Sequence, residues 1–186
     1  MGMFGGLFGK RKPSQSADCV WRSDAARLRG VCREVGGFVD DGSSVLVVAL
    51  TPAALDRFAE ALADREPLRA TSVFERDDLR ERLGRAGAVS VALASALAPE
   101  AQPAGGDPVE ILVVGRHDRR AADDAIVRFA ESIEAGGFAT FHLSLEDPLL
   151  ASHAVHLGPV LDKLGMTDDE PISHAMVSRS IERLQQ

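Results

Sequence analysis

Val45–Leu50 reads VLVVAL, six apolar residues in a row, set between Gly42-Ser43-Ser44 and Thr51-Pro52. A strand with one wet face alternates apolar and polar side chains. An unbroken run therefore predicts a strand covered on both faces, as in a parallel sheet sandwiched between helices. The flanks agree. Gly-Ser-Ser supplies a turn, Thr51 a capping hydroxyl and Pro52 a residue suited to the first helical position. Downstream, Leu55, Phe58, Ala59 and Leu62 recur at helical spacing. Upstream, Leu28, Val31, Val35 and Phe38 do the same behind Ser23, a second capping residue. A buried strand between two amphipathic helices is the core of a crossover unit.

The alternation repeats along the chain. Ala70–Phe74, Val89–Leu93, Ile111–Val114 and Thr140–Leu143 read as further strands. Between them, Asp77 to Leu83 reads as a short charged helix. Asp118 to Glu134 reads as a longer one, with Ala125, Ile126, Phe129, Ala130 and Ile133 on one face and Gly136-Gly137 ending it. This predicts an α/β fold: a mainly parallel sheet of about five strands flanked by helices, with right-handed crossovers and a helical C-terminal extension. Residues 1–17 are expected to form a basic and apolar N-terminal segment, 18–150 the α/β domain, and 151–186 the extension packed on it. Pro99–Pro108 is a loop by composition, and Met166–Pro171 interrupts the last helical stretch.

The 186 residues fit one domain of ordinary globular composition, 45% hydrophobic and 26% charged. The net charge of −7 argues against a dedicated nucleic-acid binder. It is unevenly spread. Residues 1–12, MGMFGGLFGKRK, carry Lys10, Arg11 and Lys12 and no acid, while the other 174 residues carry 18 basic and 28 acidic groups. The basic residues follow the apolar ones, which is not a signal-peptide arrangement. Phe4, Leu7 and Phe8 beside Lys10, Arg11 and Lys12 instead suit a weak contact with anionic lipid or a partner protein. Cys19 and Cys32 are too few for a disulfide scaffold and read as thiols of a reducing cytoplasm.

Catalytic motifs are hard to find. Gly5–Arg11 misses the P-loop pattern at its first glycine and at the metal-binding hydroxyl, and no strand precedes it. His153 and His156, three apart, could face one ion together with His142, Glu146 or Asp147, which leaves a metal-dependent enzyme as one alternative. The ordinary reading is a pair of solvated histidines. Asp123-Asp124 and Asp168-Asp169 lie in polar runs and read as solvated faces. No nucleophile elbow surrounds any serine. Neither a cofactor nor a catalytic residue is assigned.

Two segments resemble the SecA preprotein translocase ATPases. Phe141–Asp147, FHLSLED, is similar to the family's F-Y-L-S-L-E-D. Leu164-Gly165-Met166, with Glu170-Pro171-Ile172, His174, Met176-Val177 and Ile181, is similar to its L-G-M…E-x-I-x-H-x-M-V-x-x-x-I. Earlier segments follow in order. Asp18-Cys19-Val20-Trp21 with Ala25-Ala26-Arg27 is similar to D-x-V-Y-x-T-E-A-A-K, and Ala88–Ala92 to A-V-T-I-A. Arg116-His117 with Arg120 and Asp123 falls where E-R-H-E-S-R-R-I-D runs. The resemblance implies the second nucleotide-binding, RecA-like domain of that family, here as a stand-alone and degenerate version.

The departures bear on activity. Where the family continues T-N-M-A-G-R-G-T-D, this chain has Leu93-Ala94-Ser95-Ala96-Leu97-Ala98-Pro99-Glu100-Ala101. Counting back from Leu143, the three arginines of the family's Q-L-R-G-R-S-G-R-Q-G-D fall on Val127, Phe129 and Ser132. Arg128 lies one residue away, which rotates it about 100° around a helix. Losing such an arginine costs roughly 10³ or more in rate in phosphoryl-transfer enzymes. The expectation is a non-catalytic SecA-like protein-binding module, linked to export at the cytoplasmic membrane face. A nucleotide-binding sensor without hydrolysis is the alternative. Val127 and Phe129 mark a candidate protein interface at the former nucleotide face, closed either by a partner or by the helix packing inward. The partner would be a translocase component or another chain.

Overall fold

The computed structural model of the chain describes residues 16–63, 71–73, 76–98, 109–133 and 137–185. Six strands and seven helices are set out along these residues. They run β1 (Ala17–Trp21), α1 (Asp24–Asp40), β2 (Ser44–Ala49), α2 (Pro52–Ala63), β3 (Thr71–Val73), α3 (Arg76–Leu83), β4 (Val89–Leu93), β5 (Val109–Val114), α4 (Arg120–Ser132), β6 (Phe138–Ser144), α5 (Pro148–Ala151), α6 (Ala154–Lys163) and α7 (Ala175–Leu184). All strand pairs are parallel, in the order β1-β6-β5-β2-β4-β3. This is the expected α/β sheet. Its sixth strand, β1, lacks the apolar run that marks β2 and β5.

Strand β2 sits in the middle, and each of its six residues is buried. Its two faces feed two cores. Leu46 and Val48 join Ile111, Val113, Phe141 and Ile126 under α3 and α4. Val45, Val47 and Ala49 join Val31, Val35, Leu55 and Phe58 under α1 and α2. The apolar run is thus explained by helices on both sides. The caps form as expected: Ser23 Oγ accepts from the Ala26 amide at 3.2 Å, and Thr51 Oγ1 from the Ala54 amide at 3.2 Å. Leu161, Met166, Val177 and Ile181 bring the C-terminal helices into the first core.

The edge of the sheet is closed in a way the periodicity did not show. Ile172 crosses β1 antiparallel, trading two 2.9 Å backbone hydrogen bonds with Val20. An edge strand otherwise offers unpaired amides to other chains, and this crossing covers part of that row. Among the described residues, no helix is long and apolar enough to cross a membrane.

Candidate functional site

In an open α/β sheet, ligands bind beyond the carboxyl ends of the strands, where neighbouring connections part. Here β4 and β5 lie on opposite sides of β2. The residues after their ends, together with the start of α4, enclose a cleft of about 280 Å³. Ala94, Ser95 and Leu97 come from the β4 side, His117 from the β5 side, and Ala122, Ala125 and Ile126 from α4. The β4 contribution is the stretch in which the chain departs from the family's glycine- and arginine-bearing loop. His117 is the one titratable group in this lining.

The basic residue beside the cleft is already committed. Arg116 Nε donates to Asp18 Oδ1 at 2.6 Å and Nη1 to Asp123 Oδ2 at 3.1 Å, while its guanidinium lies 3.9 Å over the Phe141 ring. Asp123 also accepts from the His117 amide at 3.1 Å and from Gln185 Nε2 at 2.6 Å, and its Oδ1 lies 2.8 Å from His117 Nδ1. Asp123 is 1% exposed, so the solvated face expected for it is wrong. Burial there is tolerable because every side of the carboxylate meets a donor. Arg120, in contrast, is half-exposed on α4 near Asp124 and Glu182.

A second polar cluster joins the first helix to the end of β6. Arg27 Nη1 donates to both oxygens of Asp147, at 2.8 and 2.7 Å, and Nη2 to Asp24. Asp147 Oδ2 also accepts from the Ser144 amide at 2.9 Å. Burial pushes the Asp147 carboxyl up from its ordinary range, with Arg27 and the Ser144 amide pulling the other way. Gly115, at φ +91°, sits against this cluster, where a Cβ would lie 3.9 Å from Asp147 Oδ2.

His142 is fully buried. Its Nδ1 accepts from Trp21 Nε1 at 3.2 Å, and the two rings stack with centroids 6.1 Å apart. Desolvation, with help from Arg27, lowers its pKa to about 3 and keeps it neutral. The proton then resides on Nε2, 3.5 Å from Glu34 Oε2. The metal arrangement sketched from sequence is not assembled. His142 is interior, Asp147 holds Arg27, and His153 and His156 are exposed on α6 and its cap. Among the described residues, no group of three or more His, Cys, Asp and Glu is placed to hold a metal ion.

Phe129 is 4% exposed and packs in the core beside Ile126 and Ile133, with half-buried Val127 against the same cluster. The Phe129 ring is thus enclosed by its own domain. Phe4, Leu7, Phe8, Lys10, Arg11 and Lys12 lie outside the described residues.

No protein-family model matches the chain. Among curated proteins it is 30% identical over 181 residues to the protein translocase subunit SecA of Desulfotalea psychrophila, covering 91% of this chain and 21% of that one. The resemblance is to SecA. The SecA of Syntrophobacter fumaroxidans is 27% identical over 181 residues, and that of Bacteroides fragilis 29% over 180. This chain spans 21% and 16% of their lengths. Among solved structures, the C-terminal domain of a possible DNA helicase from Lactobacillus plantarum aligns with 75% of this chain and 80% of its own, at TM-score 0.47 and 13% identity.

The two polar clusters show what the SecA-like segments do here. Ala25-Ala26-Arg27 and Phe141–Asp147 meet through the Arg27–Asp147 pair, 120 residues apart in sequence. Asp18 meets Arg116 and Asp123, and Val20 meets Ile172. Trp21 and His142, which stand at the two places where the SecA patterns have tyrosine, face each other. The similar segments form the frame, and the departure after β4 lines one side of the cleft.

Proposed function

We propose that this chain is a SecA-like module that binds protein in an export setting and does not hydrolyse ATP. One observation carries the reading. The cleft at the strand ends is walled mainly by small and apolar side chains with His117 among them, and the arginine next to His117, Arg116, is held by two buried carboxylates. Phosphoryl transfer needs cationic groups free to follow charge onto a transferring phosphate. A guanidinium fixed between Asp18 and Asp123 has no such freedom. The frame around it supports an interaction role, since it keeps the domain intact without the phosphate chemistry.

The setting is supported by SecA similarity over about nine-tenths of the chain. In it, Phe4, Leu7 and Phe8 with Lys10, Arg11 and Lys12 supply a weak, salt-sensitive contact to anionic lipid at the cytoplasmic face. The division into residues 1–17, 18–150 and 151–186 assigns that contact to the first segment and the protein-binding work to the remainder.

The test is phosphate release and calorimetry on the full chain with ATP and ADP. We expect no turnover above buffer and no heat of binding. Turnover that Arg120→Ala abolishes would overturn the reading. ADP binding without turnover would favour a nucleotide sensor. Sedimentation with anionic vesicles tests the lipid contact, which removal of residues 1–12 should abolish.

A further inference from the structure

A second, larger cavity lies on the opposite face of the sheet from the α4 cleft. It is a groove of about 440 Å³ between α1 and the sheet edge, with Trp21, Phe38 and Pro171 as its apolar surfaces and Glu34 and Asp41 on its rim. Gly37 keeps it open, because a Cβ built there meets no atom within 4 Å. Arg33, the basic residue of the lining, already donates to the Asp169 carbonyl at 2.8 Å. Arg33 is exposed and keeps its charge, so the rim carries one cation against the carboxylates of Glu34 and Asp41, and exposed Asp40 tips the balance further to acid.

The position of the groove relative to the start of β1 matters. Helix α1 runs antiparallel to β1, and Gly30 lies against the Trp21 ring. Ala17 is about 13 Å down the strand from Trp21. At 1.5 Å per residue, that is about nine residues along α1, level with Val39 and next to Phe38. The chain thus enters β1 beside the acidic mouth of the groove. Residues 9–16 separate Phe8 from Ala17. Fully extended they reach up to about 28 Å, which is more than the about 16 Å from Asp41 to Gly30.

We infer that this groove is the docking site for the chain's own N-terminal segment. Phe4, Leu7 and Phe8 occupy the apolar floor, and Lys10, Arg11 and Lys12 lie against Glu34, Asp40 and Asp41. Complementarity supports this occupant over others. The segment places three large apolar side chains just before three cations, and the groove places an apolar floor just inside an acidic mouth. The tether keeps the segment at high effective concentration beside the groove, so even a weak contact is populated. The inference does not depend on the export reading, and the lipid contact proposed above requires the segment to leave the groove.

The test is photocrosslinking of the full chain carrying benzoylphenylalanine in place of Phe8, at a concentration where the protein is monomeric. The expected product is a crosslink within one chain to residues 30–41 or to Pro171. Gly37→Leu, which fills the groove from a position with room for a side chain, should lower the yield about tenfold, as displacement of a weakly held segment requires. Circular dichroism would verify that this variant is folded. Charge reversal at Lys10, Arg11 and Lys12 should lower the yield as well. A crosslink mapping elsewhere, one formed only between chains, no crosslink, or a yield unchanged by Gly37→Leu would each overturn the inference.

Discussion

Gly30 offers a direct measure of how tightly α1 is seated on the sheet. A Cβ at this position would fall 1.8 Å from Trp21 Cη2, and 2.3 and 2.5 Å from two further ring atoms. The ring cannot swing aside freely, since its Nε1 donates to His142 and it is 3% exposed. In Gly30→Ala, either the helix lifts or the indole leaves its partner. Overpacking of this kind costs about 1–3 kcal/mol. Leaving a buried donor or acceptor unpaired costs about 1–3 kcal/mol more. Against this, alanine is favoured over glycine in a helix by about 1 kcal/mol. The net expectation is destabilisation by about 1–5 kcal/mol. Gly37→Ala is the matched control, on the same helix but with open space around the new methyl. It should gain up to about 1 kcal/mol from helix propensity alone. Urea unfolding followed by circular dichroism and by the fluorescence of Trp21, the chain's single tryptophan, reads both variants. A Gly30→Ala protein as stable as its Gly37→Ala counterpart would refute the close seating of α1 on Trp21.

Other expectations follow from the two polar clusters. His142 is neutral in the fold, with its pKa lowered to about 3, so the unfolded chain binds the extra proton between that value and the ordinary 6.5. Stability from this group is complete above about pH 6.5 and declines as pH falls toward 3, by up to about 1.4 kcal/mol per pH unit. His142→Gln should flatten that part of a pH series of urea midpoints; an unchanged slope would contradict the assignment. Arg116→Ala leaves Asp18 and Asp123 buried without their cation, and unfolding should become easier by about 3–5 kcal/mol. Asp123→Asn sets an amide nitrogen where only donors face it, and should itself cost about 1–3 kcal/mol in the same measurement. Unchanged stability would contradict the ring of donors around this carboxylate.

Much of the fold could be read locally because burial on both faces leaves a local trace. Strands β2, β4 and β5 are rich in valine, leucine, isoleucine and alanine, and the capping hydroxyls of Ser23 and Thr51 act within three residues. Strand β1 leaves no such trace. Its Asp18 is buried by a partner 98 residues away, so a charged residue in a core strand looks like a loop until Arg116 is placed beside it. The same long-range pairing hid Asp123, whose neighbour Asp124 does face solvent. Residue spacing alone could not find these pairs. The SecA-like patterns contain both partners of each, and that was the available signal. The cleft was legible only as a set of departures, because small apolar residues announce no chemistry.

The placement of β1 also governs the order in which the fold can be completed. Among the described strands its one partner within the sheet is β6, the last of them, with registers such as Val20 opposite Leu143. During synthesis from the N-terminus, Asp-Cys-Val-Trp must therefore remain unpaired while every other strand is made. The Ile172 crossing comes later still. Closing so long a loop is a slow, entropy-opposed event, and it falls at the end of assembly. A nascent chain halted before Phe138 would hold four strands that can pair and one that cannot. Its tryptophan would still lack His142, so its fluorescence can follow the final docking of the first strand in real time.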